Sequence, residues 1–425
     1  MAWPTEVQVV LRVVAGVLFG AVVALRLACT FAARGAKSGG RKVLSTAATV
    51  WPVYTLLLPV YREAAVLREL MAALAALDYP PDRLDAKLLV EADDTETLAA
   101  LKTLSLPAFV EVLHIPPAAP RTKPKALNVG LARARGTFLT IYDAEDRPDP
   151  GQLKAAVCAF EAAEAAPGRP LGVVQAPLKI DNARESWIAA QFALEYAIHF
   201  GVLLPGPCRL GLPVPLGGTS NHFRTATLRQ VGGWDPFNVT EDADLGVRLA
   251  ALGYRASMIG EPTWEEAPVS FRAWSGQRSR WLKGYLQTWA VMTRQARGLR
   301  SVARVSLTAC LLGGFMTALL HGPTAVIACL TLVSGVALPV PETTLAACSY
   351  GSVLMAGASL RPQARLWLSM PVYWCLQVVP AVRALGELAT RPHGWTKTAH
   401  GVARQRSCAR NPAQAGQISQ ASATP

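Results

Sequence analysis

The chain has 425 residues, 51% of them hydrophobic and 17% charged, too apolar for one soluble domain and too mixed for a protein wholly embedded in lipid. The net charge of +13 raises nucleic acid as a partner, yet residues 51–291 carry 24 Lys/Arg against 26 Asp/Glu, and the basic excess lies outside them. Residues 1–50 hold six Lys/Arg against Glu6, and residues 361–425 hold eight against Glu387, so the charge flanks apolar runs as at the cytoplasmic face of a membrane and no nucleic acid is expected.

In chain order, Val13–Ala33 is apolar over about the 20 residues that cross a bilayer, and Arg34, Lys37, Arg41 and Lys42 follow it. A signal peptide would carry its positive charge before the run and would not be interrupted by Arg26, so an anchor over 1–50 is expected. Residues 51–291 alternate strand-like and helix-like stretches: strands at Leu56–Val60, Lys87–Ala92, Phe109–Ile115 and Thr137–Tyr142, helices at Glu63–Leu77, Ala126–Arg135 and Asp244–Leu252. Acidic residues follow two strands directly, at Asp93–Asp94 and Asp143–Asp146, which would place both groups at one crevice. A helix over 271–290 is expected at the membrane interface.

Beyond it, Val305–Leu320, Thr324–Val340, Thr344–Leu360 and Trp367–Leu385 suggest about four spans within 292–390. An even number keeps both basic flanks inside, although Arg361 and Arg365 then fall outside, against the positive-inside rule. Residues 391–425 are basic and end in a tail with the composition of a disordered segment. Eight cysteines without a CxxC spacing indicate neither zinc nor a disulfide scaffold, as suits a domain in a reducing compartment.

Four clusters in the middle region can carry chemistry: Glu91, Asp93 and Asp94; Asp143, Glu145 and Asp146; Thr240, Glu241 and Asp242; and Gln277, Arg280 and Trp281. Two carboxylates ending a strand suit a Mg²⁺ or Mn²⁺ ion that also binds a diphosphate. At i, i+3 and i+4, Gln277, Arg280 and Trp281 share a helix face. Each has a plainer reading as well: Asp94 or Thr95 as an N-cap, Asp146–Pro150 as an acidic turn, Thr240 as the cap of the helix that follows, Lys125 as a solvated surface lysine.

In order and context these clusters resemble family 2 glycosyltransferases, most closely the membrane-bound, cellulose-synthase-like polysaccharide synthases, over about residues 54–290. The resemblance implies a GT-A-like, Rossmann-related α/β fold, a mixed sheet with helices on both faces, joined to transmembrane helices. It implies an inner-membrane, multi-pass enzyme with a cytoplasmic catalytic domain that adds sugar from a UDP-sugar to a β-linked polysaccharide with inversion. Asp242 would be the general base. Glu91, Asp93, Asp94, Lys123, Lys125 and Asp143 would bind the nucleotide sugar, and Asp143 with Glu145 or Asp146 the metal. Glu241, Gln277, Arg280 and Trp281 would hold acceptor and product, and the loop Gly217–Ser220 before His222 would contact the acceptor end, His222 itself lying in the core. The helices are few for a channel, so self-association or an export partner would assist. Single addition to a lipid-linked acceptor, or a non-catalytic scaffold of the same fold, are the alternatives.

Overall fold

The computed structural model describes residues 5–34, 50–295, 298–335, 340–360 and 362–394. Lys37, Arg41, Lys42, Arg361 and the basic segment and tail beyond residue 394 lie outside the described residues.

A seven-stranded sheet organises residues 51–291. Its strands are β1 (Tyr54–Val60), β2 (Leu84–Glu91), β3 (Val110–Ile115), β4 (Phe138–Ile141), β6 (Leu171–Gln175), β8 (Asn221–Arg224) and β9 (Arg255–Met258), in the order β3-β2-β1-β4-β8-β6-β9. β3, β2, β1 and β4 run parallel, while β8 is antiparallel to both β4 and β6. Between β1 and β4 the strand order reverses, and a ligand crevice is expected where strands diverge at their carboxyl ends. Three short strands, β5 (Arg147–Pro148), β7 (Leu178–Ile180) and β10 (Thr263–Glu265), form a second sheet beside it.

β1 shows why the sheet is buried on both faces. Leu57 packs with Leu89, Leu139 and Ile141 in one apolar cluster, while its neighbours Leu56 and Leu58 pack with Leu88 and Val90 in another. The alternation follows the two-residue period of a strand. β2 starts at Leu84, three residues before the expected strand, because its polar residues are paired inside: Asp85 accepts from Thr55 and Arg135 and bridges Lys87 at 2.8 Å. Buried charge obscured the strand pattern.

The helices of this domain are α2 (Leu67–Ala75), α3 (Thr95–Leu101), α4 (Lys123–Arg133), α5 (Gln152–Glu164), α6 (Trp187–Ile198), α7 (Pro205–Leu210), α8 (Thr225–Gln230), α9 (Glu241–Ala251) and α10 (Phe271–Gln295). α4 begins three residues earlier than expected and α9 three, so Lys123, Lys125, Glu241 and Asp242 are first-turn residues and do not precede their helices. Thr240 occupies the N-cap position of α9, but its side chain makes no capping bond.

The apolar segments differ from expectation. α1 (Thr5–Arg34) is the single long helix foreseen. The expected span Val305–Leu320 and the first part of Thr324–Val340, up to Val333, are one helix: α11 (Ser301–Thr308) runs through a π-helical turn into α12 (Gly314–Val333), an apolar stretch of 33 residues. Pro323 lies inside α12, where the sequence suggested a break; a proline is tolerated in an apolar helix that neighbours support. α13 (Val340–Ala356) follows, then α14 (Ala364–Leu376) and α15 (Val378–Thr390). Among the described residues four helical segments are long and apolar enough to cross a membrane, one of them Trp187–Leu210, which the sequence reading did not single out.

Both ends of the α14–α15 segment meet the sheet domain. Gln191 donates to the Leu366 carbonyl at 2.8 Å and the Trp187 indole to Ser369 at 2.9 Å, while Lys283 donates to the Gly394 carbonyl at 2.6 Å. α1 and α13 lie side by side with the same polarity, since Arg26 bonds Ser349 and Ser352 and Arg34 bonds the Met355 carbonyl.

Candidate functional site

The crevice at the β1/β4 switch point is a cavity of about 510 Å³. Its wall includes Glu91 from the end of β2, Lys123 from α4, Asp143 and Glu145 after β4, Gly217–Thr219 before β8, Glu241 and Asp242 from α9, and Gln277, Arg280 and Trp281 from α10. Residues spread over the chain from 91 to 281 thus meet at one place.

Asp143 is held from both sides. The Lys123 ammonium bonds its Oδ1 at 2.5 Å and also reaches the Gly218 carbonyl at 2.7 Å, joining the loop after β4 to the glycine loop before β8. Burial opposes the charge on Lys123, but the nearby carboxylates of Asp143, Asp242 and Glu241 outweigh it and hold the lysine charged. Burial and then the Glu241 charge push the Asp242 carboxyl well above the usual carboxylate range, with Lys123 opposing; its Oδ1 accepts from the Trp234 indole at 3.2 Å. Glu241 is raised by burial as well, and Lys123 again opposes. Arg280 is lowered by burial and supported by Glu241 and Asp143.

Asp146 lies behind this surface. It is buried, its Oδ2 accepts the Asp143 N–H at 2.7 Å and the Thr219 hydroxyl, and it is absent from the cavity wall. Of the two candidates left open beside Asp143, Glu145 is the one on the wall. Their hard oxygens suit Mg²⁺ or Mn²⁺, which take one or two carboxylates and complete their shell with substrate phosphates. The fit is supported by the ammonium of Lys123, a cation already seated against Asp143. Among the described residues no three His, Cys, Asp or Glu side chains group to hold a metal unaided.

Glu91 is on the wall, but Asp93 and Asp94 are not. Asp94 caps α3 by accepting from the Thr97 N–H at 3.2 Å and takes the Arg62 N–H with its other oxygen. Asp93 pairs with Arg121 at 2.6 Å, and Arg121 does line the cavity. Lys125 points away, binding the Pro116 and Ala118 carbonyls and Glu91. His222 is fully buried against Tyr54 and Gln152, and burial pushes it down to about 3.

The α10 face is built as an aromatic wall. Trp281 lies 6.0 Å from Phe192 and stacks with Tyr196 at 6.3 Å. Gln277 Oε1 and Arg280 Nε are buried without a hydrogen-bond partner among the described residues, leaving polar capacity beside the cavity. Sequence reading missed the support behind this wall. Arg278 forks onto Glu195 of α6, with one bond at 2.7 Å, and its guanidinium lies 4.8 Å from the Trp281 ring centre. Tyr373 of α14 donates to Glu195 at 2.9 Å. Arg278 lies between Gln277 and Arg280 in the sequence, but its partner is 83 positions away, a separation no local pattern reports.

Two family models match the chain: "Glycosyl transferase family 2" over residues 55–194 and "Glycosyl transferase family group 2" over 138–340. Among curated relatives, "Probable glycosyltransferase YdaM" of Bacillus subtilis (strain 168) is 27% identical over 236 residues, 55% of each chain. "Probable glucomannan 4-beta-mannosyltransferase 3" of Arabidopsis thaliana is 24% identical over 265 residues, 59% of this chain and 46% of that one. The chain spans about half the length of the curated relatives it matches. Among solved structures, "Mannosyltransferase PcManGT from Pyrobaculum calidifontis in complex with GDP-Man and Mn2+" shares the fold, with a TM-score of 0.57 at 21% identity, covering 87% of this chain and 99% of that one. The two overlapping family models together match residues 55–340, and the region folds as a GT-A-like mixed sheet, so this part of the chain belongs to glycosyltransferase family 2.

Proposed function

We propose that the protein is a membrane-bound, metal-dependent, inverting glycosyltransferase that moves a sugar from a UDP-sugar to the growing end of a β-linked polysaccharide. The observation that carries this reading is the shared cavity: Asp143, Glu145, Lys123, Asp242, Arg280 and Trp281 all line it. A divalent ion held by Asp143 and Glu145 would neutralise the leaving diphosphate. Lys123 and Arg280 supply fixed positive charge for the same phosphates. Asp242, with its affinity for protons raised by burial, takes the proton of the acceptor hydroxyl as that oxygen attacks. With Asp242 as a single base on the face opposite the leaving group the transfer is a direct displacement, so an α-linked donor yields a β-linked product. Trp281 offers a flat face for a sugar ring. The printed name of a relative, a glucomannan 4-beta-mannosyltransferase, supports a β-linked polymer as product.

In this reading α1, the α11–α12 helix and α13 cross the inner membrane, and α14–α15 stays on the catalytic side, since both its ends bind the sheet domain. Two crossings after α10 keep the flanks of this region inside. Arg365 then lies inside as well, in accord with the positive-inside rule that four C-terminal spans violated.

The test is purified protein in detergent with a panel of UDP- and GDP-sugars and Mg²⁺ or Mn²⁺, following nucleotide release, product size and anomeric configuration. A β-linked ladder with a UDP-sugar is expected. Asp242→Asn should lower turnover by about 10²–10⁴-fold, the usual worth of a general base. Unchanged turnover would remove Asp242 from the chemistry, and a single glycolipid product would replace the polymer.

A further inference from the structure

The carboxylates around Asp143 already hold a cation that belongs to the chain. Lys123 Nζ lies 2.5 Å from Asp143 Oδ1 and 2.7 Å from the Gly218 carbonyl, where a Cβ on Gly218 would lie 3.9 Å from Asp242 Oδ2, and the charges of Asp242 and Glu241 act on the ammonium as well. The ammonium therefore sits between the two acidic groups, with Asp143 on one side and the start of α9 on the other. It is anchored there by α4, whose first turn it occupies, and only 18% of its side chain is exposed. Arg280 is the second cation facing the same carboxylates.

Resting on the proposed reading of this site, we propose that Lys123 is a resident counter-ion which holds the place of the divalent metal at Asp143 until a nucleoside diphosphate draws it away, so that metal and donor bind cooperatively. A metal ion arriving alone must displace an ammonium from Asp143 and finds the site's negative charge already partly neutralised. A metal ion arriving with a diphosphate brings anionic oxygens that receive the displaced ammonium, so Asp143 is freed as Lys123 gains a new partner. By linkage the effect is reciprocal: metal strengthens diphosphate binding by the same factor that diphosphate strengthens metal binding. A lysine that served only to bind phosphate would leave the affinity for metal alone untouched. Lys123 as a resident counter-ion lowers it.

Electron paramagnetic resonance of Mn²⁺ binding to the full chain in detergent tests this without turnover. In the wild type, saturating UDP should raise Mn²⁺ affinity at least tenfold. Lys123→Met should bind Mn²⁺ alone at least tenfold more tightly than the wild type, and adding Asp143→Asn to it should abolish that gain. Mn²⁺ binding by Lys123→Met that is unchanged or weaker overturns the proposal. Should Lys123→Met fail to fold, the wild type decides, because Mn²⁺ affinity indifferent to UDP overturns it as well. Sugar transfer is measured separately: turnover without the Lys123 effect sinks this inference alone, and the effect without turnover sinks the assigned reaction.

Discussion

Replacing Asp146 by asparagine and by alanine distinguishes a buried latch from a metal ligand. The side chain is 1% exposed, and its Oδ2 takes both the Asp143 N–H and the Thr219 hydroxyl, tying the loop after β4 to the glycine loop. Its Oδ1 has no partner among the described residues. Burial, followed by the charges of Asp143 and Glu145, pushes this carboxyl well above the usual range, which favours its neutral form. Alanine leaves the Asp143 N–H unmet, a cost of about 1–3 kcal/mol, while the Thr219 hydroxyl keeps the Ile141 carbonyl at 3.1 Å as an acceptor. Asparagine keeps an acceptor at the Oδ2 position and puts its NH₂ where the wild-type carboxyl already has an unpaired atom, so its cost should stay below that of alanine.

The pH dependence has a definite sign. A carboxyl whose pKa rises on folding holds its proton more tightly in the native state. Its stabilisation is complete below the unfolded value of about 4 and is lost as pH climbs through the raised native value. Asparagine has no such proton to lose, so Asp146→Asn should gain on the wild type as pH increases above about 5. Thermal melting of the three proteins in detergent from about pH 5 to 8 provides the assay. At roughly 2–4 °C per kcal/mol, alanine should lower the apparent Tm by about 2–12 °C and asparagine by less. If asparagine costs as much as alanine at every pH, the charged carboxylate itself is needed and the latch is refuted.

Three further outcomes follow from the geometry. At Gly284 of α10 a Cβ would lie 2.3 Å from Thr240 Oγ1, so Gly284→Ala must push α10 away from the residue preceding Glu241; kcat should fall at least tenfold while the fold persists, as circular dichroism would check. The kcat/KM profile should rise with pH to a midpoint above the ordinary carboxylate value of about 4, because Asp242 must lose its proton to act; a flat profile down to pH 4 contradicts the buried base. Arg278→Met leaves Glu195 and Tyr373 without their cation and Trp281 without the guanidinium against its ring, so the KM for acceptor should rise well before that for donor in initial-rate measurements. Its stability cost should fall below the about 3–5 kcal/mol of a fully buried pair, because about a third of the Glu195 side chain is exposed.

What the sequence disclosed was local. β1 and β4 were legible because their apolar runs end abruptly, and Asp143 to Asp146 could be placed at a strand end from that alone. Which carboxylate turns to the cavity was not legible: Glu145 faces it and Asp146 is turned inward by Thr219, a residue 73 positions later. The first turn of α4 was placed before the helix because Lys123-Pro124-Lys125 lacks an apolar period, yet proline suits a first helical turn; at α9 the acids Glu241 and Asp242 marked the helix N-terminus although the apolar period begins later. Membrane segments failed on a different point. The expected spans stop at Leu320 and resume at Thr324, but Gly322 lets α12 approach the Cys375 carbonyl and Val378 closely, and the helix continues through Pro323.

Apolar length by itself would also make Trp187–Leu210 a membrane span, and its side chains show what that apolarity serves. Phe192, Tyr196 and Phe200 recur every four residues on one helical face and pack in sequence, the first pair stacked at 4.4 Å and the second tilted at 5.4 Å between ring centres, and Trp281 joins them from α10. Gln191 and Glu195, also four apart, carry the polar bonds to α14 and to Arg278. The apolar residues of this segment are therefore spent between the sheet domain, α1 and α14, as at Gly206, where a Cβ would lie 2.5 Å from Cys29 of α1. The wall opposite Asp242 is consequently held by helices that the sheet does not position. A change in how α1 or α14 sits is transmitted to Trp281 through Glu195 and Arg278, without passing through the strands that fix Asp143.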